Sequence, residues 1–140
     1  MALNIASLAV AAAAKIHLKG ADGELLFDGG KPVCILVHSP GSKPFSTVES
    51  RQTARAVKRL NDNEGKVTAA SADERRAETA EDLAAITIAF ENLEYPPAGD
   101  AQGEQLFVAV YSDPGLGFIT KQVTKFLADW GNFKPGSAGI

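Results

Sequence analysis

An α+β domain is what this chain predicts, on three observations. Short runs of period two, separated by Gly- and Pro-rich turns, crowd residues 15–37. Patterning of period 3.6 behind Ser-x-x-Glu boxes fills residues 42–95. The chain has 140 residues, 45% of them hydrophobic, which is enough for one core and short for two. The expected architecture is a small antiparallel β-meander of two to three strands, followed by and packed against three to four α-helices. It occupies a single domain over 15–133, with an N-terminal arm over 1–14 and a flexible tail over 134–140.

Each element has its own signal. The apolar run Ile5–Ala14 has the small residues of a secretory signal, but no Lys or Arg precedes it. It is also too short to cross a bilayer, so a short helical or frayed arm is expected on a cytoplasmic protein. Lys15–Lys19 alternates, with Ile16 and Leu18 on one face, and predicts a strand buried on one side. Asp22-Gly23 marks a turn, Leu25–Phe27 a second short run, and Asp28-Gly29-Gly30 its end. Pro32 can open the next strand, Val33–Val37, which is apolar enough to be covered on both faces.

Ser39-Pro40-Gly41-Ser42 breaks that strand. A helix follows from about Pro44 to Leu60, capped by Ser46 or Ser42, with a thin apolar face of Phe45, Val48, Gln52, Val57 and Leu60. Asn61–Gly65 ends it. Ser71 and Glu74 start the strongest predicted helix, which carries Ala77, Ala80, Leu83, Ile86, Thr87, Phe90 and Leu93 up to the stop at Tyr95-Pro96-Pro97. Glu104–Tyr111 fits a buried strand or a short helix equally. Asp113-Pro114-Gly115 is a turn into a last helix, Phe118–Trp130, with Gly131-Asn132 as its stop.

Composition narrows the chemistry. A net charge of −3 gives no overall attraction to a polyanion. The one cysteine, Cys34, rules out an internal disulfide and a multi-cysteine metal site, and its apolar neighbours suit a buried thiol. His17 and His38 could hold zinc only with carboxylate help. His38-Ser39-Pro40-Gly41-Ser42 lacks the Gly-x-Ser-x-Gly elbow of a serine hydrolase, and Pro40 removes a backbone donor. Gly41-Ser42-Lys43 does not complete a phosphate loop. Glu78, Glu81 and Asp82 read as a solvated face paired locally with Arg75 and Arg76, and no sugar-stacking aromatics surround them. Arg51, Arg55, Lys58 and Arg59 make one helix basic; without a helix-turn-helix in an acidic domain, this suits solvent or an acidic protein partner better than nucleic acid. No catalytic residue, cofactor or metal ligand emerges, so no enzymatic role is expected.

The remaining concentration is aromatic. Phe118, Phe126, Trp130 and Phe133 sit in one short segment of a chain that is only 7% aromatic, and aromatic side chains anchor protein interfaces. The expected protein-binding positions are Phe118, Ile119, Gln122, Val123, Phe126, Trp130 and Phe133.

Several words in order resemble a known family. Asp22-Gly23-Glu24-Leu25 leads to Gly30–Val37, then Ser39–Ser42, then a helix with Arg51-Gln52, Arg55 and Arg59. LAAxTxxFENLEY follows over Leu83–Tyr95, and YSDPxLGFIxxQVxxFLxDWxNF over Tyr111–Phe133. Spanning Ile16–Phe133, these resemble the small tail assembly chaperones encoded in the tail gene clusters of siphophages and transposable phages. The resemblance implies a protein of the host cytoplasm that binds the tape-measure protein, helps recruit subunits of the major tail protein, and leaves before the virion is complete. It leaves homo-oligomerisation open. It names no catalytic residue, and it involves no membrane. The alternative is a structural virion protein of the tail, head–tail connector or capsid-decoration type, in which the arm would swap into a neighbouring subunit.

Overall fold

The computed structural model describes residues 2–65 and 70–135. The end of the expected tail, 136–140, lies outside the described residues. The fold is α+β: the described residues form a small antiparallel sheet, a two-stranded ribbon and four α-helices.

Strands β1 (Ala13–His17) and β4 (Cys34–His38) pair directly, placing Ala14 opposite Val37 and Ile16 opposite Ile35. These four residues are at most 5% exposed and form the inner face. The expected alternation of Ile16 and Leu18 holds, and Leu18 extends the pairing through its N–H to Val33 O at 3.0 Å. The strand itself starts two residues earlier than expected. Ala13 and Ala14, read as arm, belong to it, because a small side chain fits at the buried position opposite Val37.

Between these strands the chain makes a ribbon of β2 (Phe27–Asp28) and β3 (Lys31–Pro32). Its two-residue turn puts Gly29 at φ 57° and Gly30 at φ 81°, both in the region that favours glycine. The middle run therefore stands outside the main sheet. The third strand comes instead from β5 (Thr87–Glu91), giving the order β1-β4-β5.

That origin corrects the strongest helix prediction. Helix α2 (Ala72–Ile86) starts as expected, with Ser71 Oγ accepting the Glu74 N–H at 3.1 Å, but it stops seven residues short of Leu93. Thr87, already extended at φ −80° and ψ 133°, passes the chain straight into β5. Thr87 and Ile88 are β-branched and suit a strand, and an open edge of β4 is there to receive them. Phe90 faces the core either way: it sits opposite Ile35, and its ring lies 4.6 Å from that of Phe107. Asn92, at φ 58°, turns the chain out of the strand and donates to Pro32 O at 2.8 Å.

The other helices complete the cover. Helix α1 (Lys43–Asp62) is capped by Ser42, which accepts the Phe45 N–H, so of the two serines Ser46 is not the cap. The ambiguous run is helix α3 (Glu104–Ser112), burying Phe107, Val110 and Tyr111 at helical spacing. Helix α4 (Gly117–Ala128) buries Ile119, Val123 and Leu127. It ends two residues before Trp130, and a 3-10 turn over Trp130–Phe133 follows. The core lies between the inner face of the sheet and α2, α3 and α4.

At the α2–β5 junction the Thr87 hydroxyl donates to Leu83 O and accepts from the Tyr111 hydroxyl, both at 2.7 Å. Thr87→Val should cost about 1–3 kcal/mol in urea unfolding by leaving the buried phenol unpaired. Adding Tyr111→Phe should recover part of that loss, so the double variant falls short of the sum of the two single ones. Burial pushes the Tyr111 phenol from 10.0 up to about 12, against a smaller opposing effect of Thr87. The folded state thus holds this proton more tightly, and its contribution to stability is complete below pH 10 and lost as pH rises through about 12. Stability measured across that window should fall more steeply for the wild type than for Tyr111→Phe, by up to about 1.4 kcal/mol per pH unit.

Candidate interaction surface

The seven expected binding residues divide sharply by burial. Val123 and Phe133 are fully buried and Ile119 is 6% exposed, so these three hold α4 and the final turn on the core. Phe126 is half-buried, with its ring 5.3 Å from Phe133 and nearly perpendicular to it. Gln122 is a fastener. Its side-chain oxygen accepts the Lys19 N–H and its nitrogen donates to Lys19 O, each at 2.7 Å, as a neighbouring strand would. Phe118 is half-buried on the wall of an open cleft of about 610 Å³ that Arg75, Arg76 and Lys121 also line. Trp130 alone of the seven is well exposed, at 55%.

The structural reason lies in the C-terminal motif. Asp113 accepts the Gly115 N–H at 2.9 Å and the Tyr95 hydroxyl at 2.8 Å, tying two of the motif segments together. Asp129 accepts the Gly131 N–H at 2.9 Å, and Asn132 donates to Phe126 O at 3.0 Å. Tyr111, Ile119, Val123, Leu127 and Phe133 fill the core. Trp130 is therefore a large apolar member of the motif that the fold leaves in water. One edge atom of the indole comes near Gly41: a Cβ added there would lie 3.6 Å from Trp130 Cζ3 and 3.1 Å from Val10 Cγ2.

Residues outside the expected set are also exposed. Leu3, Ile5 and Leu8 are 58–72% exposed around a 3-10 turn over Ile5–Leu8 that buries nothing. Alternation and helical periodicity, which locate cores, say nothing of such a segment. The apolar face expected on α1 is likewise corrected. Val48 is buried, whereas Val57 and Leu60 face solvent, because the flank of α1 toward the body is largely charged.

That charged flank corrects the reading of both charged helices. Arg51, Arg55 and Arg59 meet the carboxylates of α2, which pair across the interface in preference to their own helix. Arg55 reaches Asp82 at 2.9 Å and Glu81 at 3.2 Å, Arg51 reaches Asp82 at 3.3 Å, and Arg59 pairs with Glu78. Gln52 adds a bond to Asp82 at 3.1 Å. Asp82 is only 6% exposed, and its hydrogen bond lifts the Arg55 guanidinium above its ordinary value. The three arginines of this basic helix thus pair with α2 of the same chain. Within α2 the local pair that forms is a different one, Arg76 with Asp73 at 3.1 Å.

The hydroxyl and imidazole groups near the sheet have local roles. Ser42 donates to Ser39 O at 2.6 Å while capping α1, and Ser39 is buried. Burial holds the His38 imidazole below its usual range. His17 Nε2 donates to Leu26 O at 2.8 Å, with its ring edge-on to Phe27 at 4.9 Å. Cys34 is buried, and burial first, then Glu91, pushes its thiol up. Among the described residues no group of three or more His, Cys, Asp or Glu side chains is placed to hold a metal ion, and no helix is long and apolar enough to cross a membrane.

Asp82→Ala should destabilise the fold by about 2–4 kcal/mol in urea unfolding, since it strands two half-buried guanidiniums and the Gln52 amide. Glu81→Ala, at the solvent end of the same ladder, should cost about 0.5 kcal/mol or less. Equal costs would mean that burial of Asp82 does not set the strength of this interface. Comparison with known proteins gives no relative: no family model matches the chain, and neither does any curated protein or solved structure.

Proposed function

We infer that this chain is a protein-binding factor without bond-making chemistry, acting in phage tail morphogenesis as a tail assembly chaperone. In this reading it holds the tape-measure protein and helps recruit subunits of the major tail protein in the host cytoplasm. The phage assignment rests on the motif resemblance over Ile16–Phe133. One observation carries the binding role: the C-terminal motif contributes most of its large side chains to folding, while Trp130 stays 55% exposed. A large exposed aromatic is the kind of anchor on which binding energy concentrates. Extended, repetitive partners such as a tape-measure rod would multiply many weak contacts of this kind into avidity.

A second reading, a structural protein retained in the virion, is favoured by the exposed segment around Leu3, Ile5 and Leu8, which suits a permanent subunit contact. Mass spectrometry of purified virions separates the two, because a chaperone is absent and a structural subunit is stoichiometric.

Trp130→Ala should weaken capture of the co-expressed tape-measure protein by about tenfold or more, as expected for an anchor worth about 2 kcal/mol. Its circular dichroism and urea midpoint should match the wild type. Phe133→Ala serves as the contrast: emptying a fully buried site should cost about 3–5 kcal/mol and lower capture by unfolding. Capture unchanged by Trp130→Ala would remove Trp130 from the interface.

A further inference from the structure

The open cleft of about 610 Å³ is lined from two helices, and its charges are unlike those elsewhere on the molecule. Arg75 and Arg76 come from α2, and Lys121 comes from α4. The arginines of α1 are committed to the carboxylates of α2. In contrast, among the described residues Arg75 and Lys121 have no carboxylate partner. Arg76 pairs only with Asp73, whose side chain is 92% exposed, and a pair so open to water is weak. One carboxylate lines the cleft among the described residues, that of Asp113, and it is already engaged by the Tyr95 hydroxyl and the Gly115 N–H. The cleft is thus a local excess of positive charge on a chain whose net charge is −3.

Two further features belong to the same wall. Helix α4 starts there, at Gly117, and no side chain caps its first turn, where the leading N–H groups have no partner within the helix. Gly117 has φ −56°, and nothing lies within 4 Å of the place its Cβ would take, so the approach to that turn is open to a carboxylate. Half-buried Phe118 and the exposed Pro114 add apolar surface beside the charges. We propose that this cleft is a second docking site, which binds a short acidic segment of a partner polypeptide. Carboxylates of the segment meet Arg75, Lys121 and the start of α4, and its apolar side chains lie on Phe118. A lone phosphate or carboxylate would meet cations that stand in water, where a single ion pair gains little. A peptide segment engages several charges and the aromatic ring together. A nucleic acid would run out of the cleft over a chain of its own sign. The inference is independent of the tape-measure reading and of Trp130, which does not line the cleft.

Fluorescence anisotropy with a labelled peptide of repeating Glu-Glu-Leu tests it. The wild type should bind this peptide, lose affinity as salt is raised, and ignore the Gln-Gln-Leu version. Arg75→Glu with Lys121→Glu should weaken binding by about tenfold or more. Gly117→Glu, which sets a carboxylate of the chain's own at the helix start, should do the same with unchanged circular dichroism. Lys31→Glu with Lys58→Glu makes an equal change in net charge at exposed positions outside the cleft and should leave affinity within about twofold. Trp130→Ala should also leave it unchanged, so failure of this site and failure of the Trp130 anchor are separate results. A wild type that does not prefer the Glu peptide to the Gln peptide overturns the proposal, as does an equal loss in the two double variants. Tighter binding of oligothymidylate would assign the cleft to nucleic acid, and displacement of the peptide by inorganic phosphate at constant ionic strength would assign it to a small anion; either overturns it.

Discussion

The passage from α2 into β5 without an intervening loop is the constraint on which the fold depends. A helix that becomes a strand at Thr87 must lie against the sheet it joins, because no linker lets it swing away. The Thr87 hydroxyl closes the last helical turn onto Leu83 and receives the Tyr111 phenol, so α2, β5 and α3 meet at a buried polar point. Polar groups in such a place are costly unless satisfied, and here each finds a partner. The inner face of β4 is then covered by α2, α3 and α4, with the Phe90 ring tilted against Phe107 and edge-to-face with Tyr111 at the junction.

A second, electrostatic contact holds α1, which buries only Val48. Its arginines at steps of four meet α2 carboxylates at steps of three and four, and Asp82 sits at the centre of the ladder. These charges are satisfied between the two helices. The exposed large apolar side chains lie elsewhere: on the N-terminal segment at Leu3, Ile5 and Leu8, near the ribbon at Leu25 and Phe27, at the far end of α1 at Val57 and Leu60, on β5 at Ile88, and at Trp130.

Much of the architecture was legible in the residues, for reasons that also explain the errors. Alternation at Ile16 and Leu18 and capping serines at Ser42 and Ser71 report on local physics, and local physics decided those elements. Leu83, Ile86, Phe90 and Leu93 fit a helical stripe, yet a chain that changes from helix to strand at Thr87 can also turn Phe90 inward, and pairing with β4 decided between them. The cross-helix ladder was invisible because a one-chain pattern shows i to i+4 neighbours and hides partners some thirty positions apart, such as Arg51 and Asp82. The exposure of the candidate binding residues was the least legible. Aromatic enrichment cannot tell Phe133 in the core from Trp130 outside it; only the 3-10 turn after α4 separates them.

That separation gives the molecule an unusual optical property. Its single indole stands outside the core, so its emission is expected to be that of a water-exposed fluorophore even in the native state. A polypeptide seated on Trp130 would strip water from the exposed half of the indole. The chain thus carries an intrinsic reporter of occupancy at this position that needs no added label.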